Sequence, residues 1–213
     1  MYRPPAFRED RIDVLHALMN GHRLATLVTH GPEGLIANLV PFTLDRARGE
    51  FGVLRAHLAK ANDQHTALAS GAEALVIFQG PESYITPSWY PSKAEHGKVV
   101  PTWNYVVVQA RGCPQVIDDP VWLRRQIGEL TAAQEGQREH PWAVEDAPAP
   151  YIDAQLKGIF GIEIPVTRLE GKWKVSQNRP EADRAGVADG LKASGVDDMA
   201  AIVASPSPLS GGT

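Results

Sequence analysis

Cysteine is nearly absent from this chain: Cys113 is the only one in 213 residues, which rules out an intrachain disulfide framework. Its setting, Gly112-Cys113-Pro114, reads as part of a strand, where a buried and inert thiol is expected. Long apolar runs are missing too. Nothing approaches the ~18 residues of a membrane span, and the opening MYRPPAFRED lacks the apolar core of a signal peptide. A cytoplasmic protein is the expectation. Positive charge is in deficit, with 21 Lys and Arg against 25 Asp and Glu and a net charge of −4. No general basic field for nucleic acid exists, so any DNA contact has to be local. No G-x-G-x-x-G or G-x-x-x-x-G-K-[ST] sequence occurs, which argues against Rossmann and P-loop nucleotide sites. The histidines form no H-x-x-x-H pair, and no serine sits in a G-x-S-x-G elbow, so neither a zinc centre nor a hydrolase triad is supported.

What remains is an ordinary globular composition, 43% hydrophobic and 22% charged. A packing helix is expected within Arg8–Met19, stopped by Asn20-Gly21. From Arg23 the period shortens, and RLATLVTH, LIANLVPFTLD and EFGVLRAHL read as three strands of an antiparallel meander. A short helix over 60–70 closed by Gly71 and a strand AEALVIFQG follow, then a long strand WNYVVVQARGCPQVID bent at Gly112. Asp118 or Asp119 is expected to cap a helix that has Pro120 in its first turn. GIFGIEIPVTRLEGKWKVS reads as a closing hairpin around Glu170-Gly171. The organisation expected is one domain over 1–204, mainly β with appended helices (α+β). It carries a helical insertion at 119–157, C-terminal helices at 180–204 and a disordered tail at 205–213. Strands at short spacing without alternating βα units point to an antiparallel barrel.

Three stretches can carry chemistry. The first is Arg55-Ala56-His57-Leu58-Ala59-Lys60-Ala61-Asn62, where Arg55, His57 and Lys60 can share a side of an extended chain and Asn62 stands near a helix start. Such a set can hold a phosphate dianion, or it is a solvated basic face. The second is SYITPSWYPSKAEHGKVVPTWNY (83–105), which gathers two of five Trp, three of five Tyr and three Pro. Rigid aromatics beside Pro-fixed backbone suit either the wall of a pocket for a flat ligand or an aromatic turn capping a barrel end. The third is KWKVSQNRP (172–180). There Gln177 and Asn178 offer donors and acceptors to a heteroaromatic edge and Arg179 adds a cation, although Asn178 also suits a helix N-cap.

In order and spacing, YRPPAF (2–7), HLAKANDQ (57–64), SYITPSWY, VPTWNY and SQNRP resemble the PaiB family of FMN-binding negative transcriptional regulators over most of the chain. The resemblance implies a split β-barrel of the flavin-reductase and pyridoxamine-phosphate-oxidase kind, a homodimer with FMN at the subunit interface. On that basis Arg55, His57, Lys60 and Asn62 are expected at the phosphate. Ser83, Thr86, Ser88 and Thr102 are expected at ribityl or ring polar atoms, and Trp89, Tyr90, Trp103 and Asn104 at the walls. Gln177 and Arg179 would come from the facing subunit. The alternatives are an FMN-dependent oxidoreductase, a flavin reductase or an oxidase of the pyridoxamine-phosphate type, with Lys93–Val100 as a lid, and a haem-handling split barrel.

Overall fold

The computed structural model describes residues 1–32 and 34–205. In chain order the strands are β1 (Arg8–Glu9), β2 (Leu24–Gly31), β3 (Gly34–Pro41), β4 (Thr43–Asp45), β5 (Val53–Ala59), β6 (Ala74–Ile85), β7 (Thr102–Gly112), β8 (Gln115–Ile117), β9 (Ile159–Pro165) and β10 (Arg168–Lys174). The helices are α1 (Ile12–Gly21), α2 (Gln64–Ala69), α3 (Ser92–His96), α4 (Pro120–Glu135), α5 (Ala149–Leu156), α6 (Glu181–Ala193) and α7 (Asp197–Ala204). The strands fall into a six-stranded and a four-stranded sheet, with antiparallel pairing. No helix among the described residues is long and apolar enough to cross a membrane.

The chain forms two compact units, and β6 and β7 contribute residues to both. One unit comprises His16–Phe78 and Gln109–Leu169. In it β3, β2 and the start of β6 are neighbours in that order, and β4-β5-β9-β8 make the four-stranded sheet. Alternation on β5 buries Leu54, Ala56 and Leu58, which with Phe42, Phe78, Phe160, Ile162 and Ile164 supply the core. A second apolar cluster, Trp122, Leu123, Val144, Ile152 and Leu156, ties α4 and α5 together. Gly161 on β9 makes room for it, because a Cβ there would lie 2.3 Å from the Trp122 ring. As expected, α4 is capped by a side chain next to Pro120: the Asp119 carboxylate accepts the Val121 N–H at 2.9 Å.

The other unit comprises Met1–Leu15, Gln79–Val108 and the chain from Glu170 onward. Its strands follow the order β1, β10, β7, β6. Arg8 stands opposite Lys172 in the β1–β10 register. Val187, Leu191, Met199 and Val203 bury the inner faces of α6 and α7. Gly195, at φ +74°, ends the continuity between these two helices.

Three expectations need correction. LIANLVPFTLD is not one strand: it breaks at the buried Phe42, so β3 pairs with β2 while β4 pairs with β5, giving two hairpins in place of a meander. The closing hairpin around Glu170-Gly171 is absent. The chain turns at Val166-Thr167, where those amides bond the Gly52 and Arg111 carbonyls, and β9 pairs with β5 and β8 while β10 pairs with β1. Cys113 is exposed. Pro114 has no N–H to continue the ladder and is itself buried, which turns the preceding thiol outward. Of the expected tail at 205–213, residues 206–213 lie outside the described residues.

Candidate functional site

The cationic motif divides where β5 ends. Leu54, Ala56 and Leu58 point into the core, so Arg55 and His57 project from the opposite face toward α4. There the Arg55 guanidinium meets the Glu129 carboxylate at 2.7 Å, and His57 Nδ1 lies 2.7 Å from Gln126 Oε1. Beyond Ala59 the chain turns: the Asn62 N–H returns to the Ala59 carbonyl, and Asn62 Oδ1 accepts the Gln64 N–H at 2.9 Å. Gln64 is fully buried and donates to Leu27 O, Thr29 Oγ1 and Ile36 O, which fixes this turn on β2 and β3.

Lys60 and Asn62 therefore stand together at a cleft of about 770 Å³, lined also by Ile36, Asp63, His65 and Thr66. The Lys60 ammonium lies 2.9 Å from Asp118, and both side chains are largely in solvent. A pair of that kind contributes little and is readily replaced by a better anion. His65 stands edge-on to Phe160, ring centroids 4.6 Å apart. Among the cleft residues that sequence reasoning did not assign are Asp63, His65 and Thr66. Their signal was their position just after Lys60, on the first turns of an expected helix.

The aromatic segment, in the other unit, resolves into two roles. Trp89 is a packing residue. A Cβ at Gly190 of α6 would lie 2.4 Å from its indole, and one at Gly186 would lie 2.2 Å from its carbonyl oxygen. Tyr90 is 2% exposed, and the Arg179 guanidinium lies 4.9 Å from its ring centroid. Burial pushes the Tyr90 phenol pKa up, against the pull of Arg179, and its hydroxyl has no hydrogen-bond partner among the described residues. Thr86 Oγ1 accepts the Ser88 N–H, Ser88 Oγ lies 3.3 Å from Lys93 Nζ, and Ser83 Oγ bonds the adjacent Tyr84 carbonyl. The Lys93–Val100 stretch begins as α3, whose start is held by Asp183 accepting from the Ser92 N–H and hydroxyl.

Trp103 is different. It is 52% exposed, its ring packs edge-to-face on the exposed Tyr84 at 5.9 Å, and it borders a cleft of about 300 Å³ with Tyr105 and Gln79. Thr102 Oγ1 accepts from the Lys174 ammonium, which also donates to the Trp103 carbonyl. Burial lowers the Lys174 pKa, and the nearby Lys172 and Arg179 charges lower it further. Lys172 lies 5.1 Å from the Tyr105 ring and 5.4 Å from that of Tyr2. Asn104 is buried and donates to Ser176 Oγ at 2.9 Å, securing a non-glycine residue at φ +64°. Gln177 closes on its own strand, accepting the Val175 N–H and donating to the Trp173 carbonyl. Lys172 and Lys174 had been readable as alternate residues on one strand.

Solved structures define the class. A conserved hypothetical protein from Mycobacterium tuberculosis superposes with a TM-score of 0.59 at 13% identity, over 85% of this chain and 95% of that one. A FAD and haem binding protein from Mycobacterium smegmatis gives 0.56 at 17%, over 78% and 73%. With its two antiparallel sheets and added helices, the chain has the split-barrel fold. The family model described as "Putative FMN-binding domain" matches residues 1–168, and the chain belongs to that family. An uncharacterized protein of Emericella nidulans is 35% identical over 92% of both chains. Protease synthase and sporulation protein PAI 2 of Bacillus subtilis is 28% identical over 90% of this chain and 89% of its own, in keeping with the PaiB resemblance.

Proposed function

We propose that this protein binds FMN as a homodimer, with the flavin phosphate in the Lys60 cleft. The observation that carries the reading is the cleft itself: a cation in a weak, solvent-exposed pair and an amide side chain fixed by Gln64, in a chain of an FMN-binding family. A phosphate dianion offers Lys60 a stronger partner than the exposed Asp118. Arg55 and His57 stand one strand-face away and steady β5 against α4. In the other unit Tyr84 and Trp103 are exposed aromatic rings packed edge-to-face, and Thr102, Asn104, Gln177 and Arg179 shape the segments around them. When bound, the flavin supplies a reversible electron acceptor, and the protein's share is to grip, orient and shield it. The repressor role implied by the PaiB resemblance belongs to the same proposal and would rest on local contacts, because the net charge is −4.

Titration with FMN and with riboflavin, which lacks the phosphate, tests the reading. FMN binding at least tenfold tighter supports it, and equal affinities overturn it.

A further inference from the structure

On the far side of β5 from the core, the turn after β4 and the Arg125–Glu129 side of α4 border a cleft of about 690 Å³ lined by Arg46, Arg48, Arg55 and Arg125, with Asp45 and Glu129. Four guanidiniums in one cleft of a chain whose net charge is −4 is a local concentration that composition does not account for. We propose that this cleft is an oxyanion site for a phosphate- or sulfate-bearing small molecule, distinct from the Lys60 cleft.

The donor inventory carries the assignment. Arg48 is committed: its two terminal nitrogens meet the two Glu163 oxygens at 2.8 Å each. Arg55 spends its terminal nitrogens on Glu129, at 2.7 and 3.4 Å. Its Nε is buried and has no acceptor among the described residues. Arg125 reaches the same Glu129 only at 4.0 Å, and one carboxylate does not satisfy two planar forks. Arg46 is exposed and makes no ion pair within 4 Å among the described residues. Asp45 is partly used within its own turn, accepting the Ala47 N–H at 3.1 Å.

Two loosely held guanidiniums therefore line the same cleft as Arg55, whose buried Nε–H lacks an acceptor, and as Glu129, whose buried Oε2 accepts no hydrogen bond among the described residues. Guanidinium forks match the oxygens of phosphate and sulfate in pairs, which a monatomic anion cannot reproduce. The accessible forks of Arg46 and Arg125 lack a full carboxylate partner, and an oxyanion supplies the acceptor oxygens they need.

The test is thermal unfolding and calorimetric titration with inorganic phosphate, with sulfate, and with chloride at matched ionic strength. The proteins are wild type, Arg46→Ala/Arg125→Ala, Arg46→Lys/Arg125→Lys and Lys60→Ala, the last also combined with the alanine pair. The site predicts a saturable rise in Tm with phosphate or sulfate and little with chloride, an affinity at least tenfold weaker in the alanine pair, and partial recovery in the lysine pair. Lys60→Ala keeps the effect. Equal stabilisation by chloride overturns the proposal, as does a phosphate affinity left unchanged when the alanine pair is added to Lys60→Ala, or a phosphate effect that disappears in Lys60→Ala alone. Loss of FMN binding in a folded alanine pair would make this cleft part of the flavin site and overturn its distinctness. Unchanged FMN binding in Lys60→Ala would instead sink the flavin assignment and leave this one standing.

Discussion

Glu163 shows how single residues hold the four-stranded sheet to α4. It faces Arg55 across the β5–β9 pairing, accepts both terminal nitrogens of Arg48, and takes the Trp122 indole N–H at 3.1 Å. The Arg48 hydrogen bonds, then the Trp122 bond and the Arg48 and Arg55 charges, hold its carboxyl below the usual carboxylate range against the opposing effect of burial. A carboxyl depressed in the folded state adds stability above its unfolded pKa, and that stability is lost as pH falls through the folded value. Wild type should therefore lose urea resistance steeply as pH falls below about 4.3, the ordinary Glu value. Glu163→Gln should be less stable at pH 7 with a flatter acid limb, and parallel limbs for both proteins would contradict the assignment. The same scale shows why the cationic motif was only half legible. Arg55, His57 and Lys60 are visible from spacing, but Glu129 and Gln126, which engage the first two, lie some seventy residues further on and share no local pattern with them.

At the level of elements, α6 is the instructive case. Gly186 and Gly190 weaken a helix by propensity. In the fold they are its contact surface: Trp89 lies where their side chains would be. Gly190→Ala should therefore destabilise by about 1–3 kcal/mol through overpacking, although Ala for Gly within a helix normally stabilises by up to ~1 kcal/mol. Gly128 on α4 has nothing within 4 Å of a Cβ, so Gly128→Ala should show the ordinary stabilising sign. Chemical denaturation of both variants checks the pair, and two changes of the same sign would refute the Trp89 account. Capping chemistry beside Pro120 was legible, with Asp118 and Asp119 left as alternatives and Asp119 the observed cap, because the signal is local. The β3–β4 break and the Val166-Thr167 turn were missed because each is decided by which sheet the strand joins.

At the scale of the whole molecule, the barrel class was legible from strand spacing and the family from motif order, whereas a surface is visible only after folding. Leu24, Leu35 and Leu39 are 60%, 76% and 65% exposed. The β2–β3–β6 register aligns them with Ala37, Val28 and Ile77 on one face. The same face also carries Thr26 and the exposed His30, opposite Leu39 and Leu35, and holds no Asp, Glu, Lys or Arg among these residues, so two copies can meet about a twofold axis through the leucines. Leu35→Lys with Leu39→Lys should convert a dimer to a monomer in sedimentation at micromolar concentration, and an unchanged mass would place any subunit contact elsewhere. The central claim, a flavin phosphate held by Lys60, is tested most directly by the ratio of FMN to riboflavin affinity in wild type and in Lys60→Ala. Loss of one charge-assisted bond, about 1.5–3 kcal/mol, should cut FMN affinity roughly 10- to 100-fold and leave riboflavin affinity unchanged. A preference for FMN that survives the substitution would contradict it.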